Sequence, residues 1–183
     1  MIIGLAGTFA SGKDTLADWV EQHGFYHVST SDMVREGCQQ EYGSTDRKDL
    51  YEYANETRSK EGAGIFVQKA LEQAKDQKKV VITGIRSIGE VEVLQAAGGK
   101  LIFVDAPIEL RYERAFKRGR DEEIESFEKF KASEEKELHR PTQNKTEQNI
   151  GAIKDMADTV LINDSDLNTF FTEAAQTLEI QSK

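Results

Sequence analysis

The feature that most constrains this chain lies at its start, where two glycines and a lysine follow a short apolar run. The run extends from Ile2 to Ala6, and Gly7, Gly12 and Lys13 follow it with four residues between the glycines. Apolar residues then recur at the spacing of one helix face: Leu16, Trp19 and Val20. A strand, a glycine loop and a helix in this order predict a phosphate-binding loop, or P-loop.

The chemistry of such a loop follows from its backbone. Glycines let the chain turn tightly with no Cβ in the way, so successive N–H groups can face one concavity. The helix N-terminus adds positive potential, and Lys13 is predicted to reach the β- and γ-phosphates of a nucleotide as a point charge. The residues of this loop that are predicted to bind the nucleotide donor are Gly7, Ala10, Ser11, Gly12, Lys13, Asp14 and Thr15.

One position departs from the usual P-loop pattern, in which a serine or threonine follows the lysine directly. Here Asp14 follows Lys13, and the hydroxyl comes one residue later, at Thr15. Thr15 is therefore the candidate for the hydroxyl beside Mg²⁺, and Asp14 is a second candidate for the metal shell. Asp14 is also explained as a carboxylate in the first turn of a helix, where the helix dipole favours it.

Length and charge exclude several classes of protein. A chain of 183 residues suits a single domain over residues 1–183, and a net charge of -9 argues against general binding of nucleic-acid polymers. Cys38 is the only cysteine, so no intrachain disulfide forms, and no apolar stretch approaches the ~20 residues of a membrane helix. We therefore expect a cytoplasmic monomer or weak homodimer that binds small-molecule nucleotides and neither membranes nor nucleic acid.

Five apolar segments alternate with helical patterns along the chain: residues 2–6, 25–28, 80–82, 101–104 and 160–162. Because the segments are continuous apolar runs rather than alternating ones, they predict a five-stranded parallel sheet with helices on both faces, an α/β fold of three layers. Such sheets bind ligands at the carboxyl ends of their strands, so the polar residues at those ends are expected along one rim.

Three residues on this rim are candidates for binding a second substrate. Asp32 and Arg35 lie on one helix face at a spacing of three, either as an acceptor-binding pair or as a capping acid with a solvated arginine. Arg86 follows a strand end and a glycine, and points either into the cleft or to solvent. The histidines are too scattered along the sequence for a metal site: His23, His27 and His139.

A stripe of arginines is predicted on a later helix: Arg111, Arg114 and Arg118, with Arg120 just beyond. Arginine offers planar donors that match phosphate oxygens, so the stripe either covers the migrating charge or pairs with glutamates of its own helix. Residues 119–145 follow, with too little apolar content for the core. They are either a lid insertion that excludes water, which we favour, or a solvated helical excursion. The polar residues 30–64 are predicted to be an acceptor-binding helical segment.

These motifs resemble the nucleoside-monophosphate kinase branch of the P-loop kinases. Residues 7–15 resemble the adenylate kinase P-loop, and Ser29-Thr-Ser-Asp-Met-Val-Arg35 is similar to Ser-Thr-Gly-Asp-Met-Leu-Arg of that family. The resemblance implies that Thr30 and Arg35 hold the acceptor monophosphate. Two further motifs are similar to adenylate kinase motifs. The resemblance of Gly84-Ile-Arg86 implies that Arg86 binds the acceptor phosphate. The resemblance of Glu113-Arg114-Ala-Phe-Lys-Arg118 implies that Arg114 and Arg118 bind donor phosphates.

A second resemblance is to dephospho-CoA kinases. It is carried by Val104-Asp-Ala-Pro107, the arginine helix and Ala157-Asp-Thr-Val-Leu-Ile-Asn163, and it implies that Asp32 is the base. The chain is also similar to a group of uncharacterised archaeal nucleotide kinases that resemble dephospho-CoA kinases. It departs from adenylate kinases at Thr83, which stands where they carry an aspartate near Mg²⁺, and in a lid that lacks most of their arginines.

The sequence therefore predicts an ATP- and Mg²⁺-dependent kinase that transfers the γ-phosphoryl group to a small phosphate-bearing acceptor. A nucleoside or deoxynucleoside monophosphate is the favoured acceptor. Dephospho-CoA is the alternative, and an ATP-binding switch without a second substrate is the rival from another class. The predicted catalytic residues are Lys13, Asp32, Arg86, Arg114 and Arg118. The sequence alone allows either ATP or GTP as the donor, and it allows Asp32 either to act as a base or only to orient the acceptor.

Overall fold

The computed structural model describes residues 1–119, 126–139 and 144–180. Its strands are β1 (Ile2–Gly7), β2 (Tyr26–Ser29), β3 (Val80–Thr83), β4 (Lys100–Asp105) and β5 (Thr159–Ile162). Its helices are α1 (Lys13–Gln22), α2 (Thr30–Tyr42), α3 (Arg47–Glu61), α4 (Ile65–Gln73), α5 (Ile88–Ala96), α6 (Ile108–Arg118), α7 (Phe127–Leu138), α8 (Ile150–Asp155) and α9 (Leu167–Leu178).

The sheet is parallel throughout and has the strand order β2-β3-β1-β4-β5. β1 occupies its centre, where Leu5 lies beside Thr83 of β3 on one side and beside Ile102 of β4 on the other. The loop after β1 therefore emerges between the carboxyl ends of β3 and β4. In sheets of this kind that position is the crevice where ligands bind.

Helices cover both faces of the sheet with apolar side chains. On one face, Leu16 of α1 and Phe170 of α9 cluster with Leu5. On the other face, Leu94 of α5 and Ile153 of α8 join a second cluster. The predicted three-layer α/β fold is confirmed, and each strand lies within one residue of its predicted segment. In the part of the chain that the structure describes, no helix is both long and apolar enough to cross a membrane.

The polar stretch after β2 forms helices rather than loops. The Ser29 hydroxyl accepts a hydrogen bond from the Asp32 N–H at 3.1 Å and so caps α2. α2 ends at Gly43, whose φ of 69° is left-handed. In α3, the buried Arg58 donates to Glu90 of α5 at 2.9 Å. This buried ion pair connects α3 to α5, which packs on the sheet.

The segment predicted to be a lid lies partly in the core. α7 buries Phe130 against Ala10 of the P-loop and Ala115 of α6. The expectation that residues 119–145 have too little apolar content to join the core is therefore wrong for α7, because one well-placed aromatic ring buries a large apolar area. The remaining parts of the stretch at residues 120–125, which include Arg120, and at residues 140–143 lie outside the described residues.

Arg111 does not face a ligand with the other arginines of the predicted stripe. Its buried guanidinium donates to Ala106 O at 3.0 Å, to Phe9 O at 3.3 Å and to the buried carboxylate of Glu134. Burial raises the pKa of Glu134, and the charge of Arg111 opposes that rise. The interpretation of Arg111 as part of a phosphate-facing stripe is wrong, since these partners make it the junction between α6, α7 and the P-loop.

Candidate active site

The P-loop turns through a left-handed glycine at the start of α1. Gly12 has φ 100° and ψ 13°, and it precedes the helix without a side-chain capping bond. Among the described residues, the N–H groups of Gly12, Lys13, Asp14 and Thr15 have no hydrogen-bond acceptor. Four unsatisfied donors at a helix N-terminus make a site that an anion completes.

Two further features of the loop fit a phosphate group. Ser11 Oγ is buried and has no hydrogen-bond partner in the described part of the chain. It lies close to Gly7, where an added Cβ would stand 3.0 Å from that oxygen and would collide with Val104 O. Since an unsatisfied buried hydroxyl costs free energy, a ligand oxygen that meets it stabilises the site. The loop residues therefore fit a polyphosphate.

Lys13 stands at the mouth of this cradle, with its amine 3.1 Å from the carboxylate of Asp14. Burial lowers the pKa of the Lys13 amine, Asp14 raises it, and the charges of Arg86 and Arg118 lower it further. These arginines therefore lie within electrostatic range of Lys13. Positive charge grouped near the P-loop attracts polyphosphates, even on a protein with a net charge of -9.

Asp14 and Thr15 are the residues of this site that fit a metal ion. Both lie in the first turn of α1, and the Asp14 side chain is 63% exposed, so its oxygens are accessible. In the described part of the chain, no three His, Cys, Asp or Glu side chains cluster as metal ligands. Mg²⁺ commonly binds through one or two protein oxygens together with substrate phosphates, and a carboxylate and a hydroxyl beside the cradle suit that arrangement.

Asp105, at the carboxyl end of β4, braces the loop from the neighbouring strand. Its carboxylate accepts hydrogen bonds from Thr8 Oγ1 at 2.7 Å, from Lys154 Nζ at 2.7 Å and from the Ala106 N–H at 2.9 Å. Burial opposes ionisation, yet these hydrogen bonds hold the pKa of Asp105 below its usual value. The sequence analysis did not identify Asp105 as a residue of the site. The signal that could have identified it is an acid directly after the apolar residues 101–104, at the rim where ligands bind.

Arg114 contacts the same loop from α6. It donates to Ser11 O at 3.4 Å and to Asn163 O at 3.1 Å, while Asn163 Nδ2 donates to Ser11 O at 2.8 Å. Arg114 and Asn163 thus hold the backbone that forms the cradle. Arg118, one helical turn further, is exposed. Of the two predicted donor-phosphate arginines, Arg118 is the one whose guanidinium faces solvent near Lys13.

The acceptor side of the rim lies at the ends of β2 and β3. Thr30 is buried, and an added Cβ on Gly84 would stand 2.6 Å from its hydroxyl, so the start of α2 touches the turn after β3. Asp32 and Arg35 form an ion pair at 2.9 Å, with both side chains more than half exposed. The structure therefore brings these predicted acceptor residues to one end of the sheet, and Asp32 and Arg35 are paired with each other.

Arg86 lies in the turn that follows Gly84. Its N–H donates to Glu90 Oε2 at 2.7 Å and its carbonyl accepts from the Asn149 N–H at 2.9 Å, so the backbone is held on both sides. The guanidinium is partly buried, and burial lowers its pKa. Among the described residues this guanidinium makes no hydrogen bond or ion pair. Glu90 is held in turn by the buried Arg58. A rigidly held, partly desolvated arginine that makes no hydrogen bond or ion pair in the described part of the chain is a candidate anion site.

A central phosphate cradle in a five-stranded parallel sheet, with cations along the same rim, defines a protein of the P-loop kinase fold. A family model described as an AAA domain matches residues 3–137. A UPF0200 protein of Sulfurisphaera tokodaii is 31% identical over 97% of this chain and 96% of its own length. The chain therefore belongs to the AAA domain family and to the family of the UPF0200 proteins.

Two solved structures extend the comparison. The dephospho-CoA kinase from Campylobacter jejuni superposes with a TM-score of 0.58 at 18% identity, covering 97% of this chain and 95% of that one. A shikimate kinase from Bacteroides thetaiotaomicron gives a TM-score of 0.59 at 14% identity, covering 98% of each chain. At such low identity the likeness establishes the fold. The predicted resemblance to P-loop kinases is confirmed.

Proposed function

We propose that this protein is an ATP- and Mg²⁺-dependent phosphotransferase that acts on a small phosphate-bearing acceptor, with a nucleoside or deoxynucleoside monophosphate favoured. The observation that carries the proposal is the guanidinium of Arg86, which has no partner among the described residues and lies within electrostatic range of Lys13. A protein that only binds ATP needs the cradle after β1. It does not need a second, pre-held anion site on the same rim.

On the donor side, the N–H groups from Gly12 to Thr15, the Ser11 hydroxyl and Lys13 would hold the phosphates. Asp14 and Thr15 would hold Mg²⁺, which would neutralise phosphate charge when bound. Arg118 would reach the migrating charge, while Arg114 would keep the cradle in shape through Ser11 O. α7, packed on Ala10 through Phe130, would shield this side from water.

On the acceptor side, Arg86 and Arg35 would bind the acceptor's phosphate, with Thr30 at the wall of the site. For a monophosphate acceptor, the acceptor's own phosphate oxygen is the nucleophile, and Asp32 would only orient it. For a ribose hydroxyl, as in dephospho-CoA, a base is needed, and Asp32 would serve. The exposed position of Asp32 at the start of α2 supports both roles, and substrate binding would have to release it from Arg35.

The test is a coupled ADP-release assay with ATP and Mg²⁺ against nucleoside monophosphates, deoxynucleoside monophosphates and dephospho-CoA. Acceleration by a monophosphate supports the favoured acceptor, and acceleration by dephospho-CoA alone moves the assignment to hydroxyl transfer. Slow ADP release that no acceptor changes would instead favour an ATP-binding switch. The Lys13→Ala variant is the control, and turnover retained in that variant would remove the P-loop from the mechanism.

A further inference from the structure

The C-terminal end of α7 is held against the turn that carries Arg86. Two residues that precede α8 are joined to that turn: the Asn149 N–H donates to Arg86 O, and Gln148 forms an antiparallel bridge with Ser87. α7 itself closes onto α8, because the carbonyl of Leu138 lies against Gly151, where no Cβ would fit. The last turn of α7 therefore lies beside the acceptor side of the rim.

This last turn carries a carboxylate that bridges to the acceptor segment. Glu137 Oε1 accepts a hydrogen bond from Arg47 Nη2 at 3.0 Å, across 90 residues of sequence. Arg47 is the first residue of α3, so its charge adds to the positive potential of that helix end. The contact joins α7 to the predicted acceptor-binding segment.

The same carboxylate also acts on Arg86. Burial lowers the pKa of Arg86, Glu137 and Glu90 raise it, and Arg58 and Arg47 lower it further. The carboxylate of Glu90 already accepts from Arg58 and from two backbone N–H groups. Glu137 is therefore an anion bound to one arginine and within electrostatic range of a second, which is the arrangement expected of an acceptor phosphate.

We propose that Arg47 is a further acceptor-binding residue, which forms a two-arginine anion site with Arg86, and that Glu137 occupies this site until the acceptor's phosphate displaces it. The inference rests on the proposed function for the identity of the anion. Displacement of Glu137 breaks its ion pair with Arg47, so binding of the acceptor is coupled to this contact between α7 and α3.

The energetics favour exchange of the carboxylate for a phosphate. The Arg47–Glu137 pair is solvent-accessible, with side-chain exposures of 60% and 29%, and exposed pairs of this kind are weak. A phosphate brings more charge and more acceptor oxygens than one carboxylate, and two guanidinium groups can bind it by several charge-assisted bonds. An internal carboxylate lowers acceptor affinity slightly and offsets only part of the cost of burying the Arg86 charge in the free protein.

The test is the binding of inorganic phosphate, followed by thermal shift at constant ionic strength, in a Lys13→Ala background that weakens the P-loop site. Glu137→Gln is expected to bind phosphate about two- to fivefold more tightly, since it removes the competing charge and keeps the side-chain shape. Arg47→Ala is expected to bind it about tenfold more weakly. Glu135→Gln, an exposed carboxylate on the same helix, is the matched control and should change nothing.

Two results would overturn the inference. One is a Glu137→Gln affinity no tighter than that of Glu135→Gln, and the other is unchanged phosphate binding in Arg47→Ala or in Arg86→Ala. The outcome is separable from the proposed function. If these shifts appear while no acceptor supports turnover, the anion site stands and the kinase assignment falls. If turnover occurs without the shifts, only the inference about Arg47 and Glu137 falls.

Discussion

Replacing Gly12 with alanine tests whether the cradle depends on one left-handed glycine and its neighbour. The φ of 100° at this position is one that alanine adopts only with strain. An added Cβ would also collide with Asn163 Nδ2, which donates to Ser11 O at 2.8 Å. Gly12→Ala therefore strains the backbone and displaces the side chain that holds the loop.

The size of the effect follows from these two costs. A left-handed non-glycine residue costs about 1–3 kcal/mol. Displacing Asn163 disrupts its bond to Ser11 O and the weaker one that its Oδ1 accepts from Arg114 at 3.4 Å, at about 0.5–1.5 kcal/mol each. The free energy of unfolding should therefore fall by about 2–6 kcal/mol. ATP affinity should fall at least about tenfold, because the N–H groups no longer point at one phosphate.

Gly24 provides a matched control for the strain alone. It has a φ of +86°, and an added Cβ would meet nothing within 4 Å. Urea unfolding of Gly24→Ala should give the strain cost, reduced by the entropy that alanine removes from the unfolded chain. The difference between the two variants, about 1–3 kcal/mol, measures the collision with Asn163. ATP affinity, measured by calorimetry, should be unchanged in Gly24→Ala.

The double variant Gly12→Ala with Asn163→Ala separates collision from strain. If the collision is real, the double variant should be more stable than the sum of the two single effects predicts, because the obstructing amide is gone. Equal losses of stability in Gly12→Ala and Gly24→Ala, or strict additivity in the double variant, would refute the reasoning. Unchanged ATP affinity in Gly12→Ala would remove the loop from nucleotide binding.

Three more side chains around the site carry predictions. In Asp32→Asn, kcat should fall about 10²-fold or more with a hydroxyl acceptor and little with a monophosphate, so steady-state rates on both decide whether Asp32 is a base. Arg58→Ala leaves the buried Glu90 without its ion-pair partner and should lower the urea-derived free energy of unfolding by about 3–5 kcal/mol; a loss under about 1 kcal/mol would contradict this role. For Asp105, whose folded pKa lies below its ordinary 3.8, the carboxylate's stabilisation is present above that value and lost as pH falls through the folded pKa. The stability gap between wild type and Asp105→Asn, measured by urea unfolding at several pH values, should therefore be constant near neutral pH and shrink in acid; a gap that widens in acid would contradict the assignment.

The fold was predictable because its strands carry a strong local signal. Val80 to Thr83 is buried at every position, and a short, continuous apolar run between helical patterns is typical of a strand in a parallel sheet. α7 was not predictable in the same way. Its burial depends on Phe130 meeting Ala10 and on Glu134 meeting Arg111, and such partners, distant in sequence, leave no periodic pattern.

The residues of the candidate site likewise fall into those that local spacing predicts and those that depend on long-range contacts. Gly12 and Lys13 were identifiable from spacing, since the loop chemistry is local to a few consecutive residues. Asn163 stood out only as the end of a motif, and its contact with Ser11 O joins two residues 152 positions apart. The same limit applies to Arg47 and Glu137, which form an ion pair from two separate helices. Long-range polar contacts depend on the finished fold, so sequence spacing cannot reveal them.

The arginines illustrate why position on a helix face does not define a role. Arg111 and Arg114 lie three residues apart on one helix, yet their partners differ. Arg111 donates to the carboxylate of Glu134 and to a backbone carbonyl, whereas Arg114 donates to the backbone carbonyl of Asn163. The Arg118 side chain is exposed and therefore stays hydrated, so only its electrostatic effect on Lys13 supports a role in phosphate binding. Arg86 differs from all three. It gives up water on folding without gaining a direct partner among the described residues, which raises the free energy of the folded state. The backbone bonds to Glu90 and Asn149 hold Arg86 in this position despite the cost of desolvating its guanidinium. We infer that a bound anion offsets this cost.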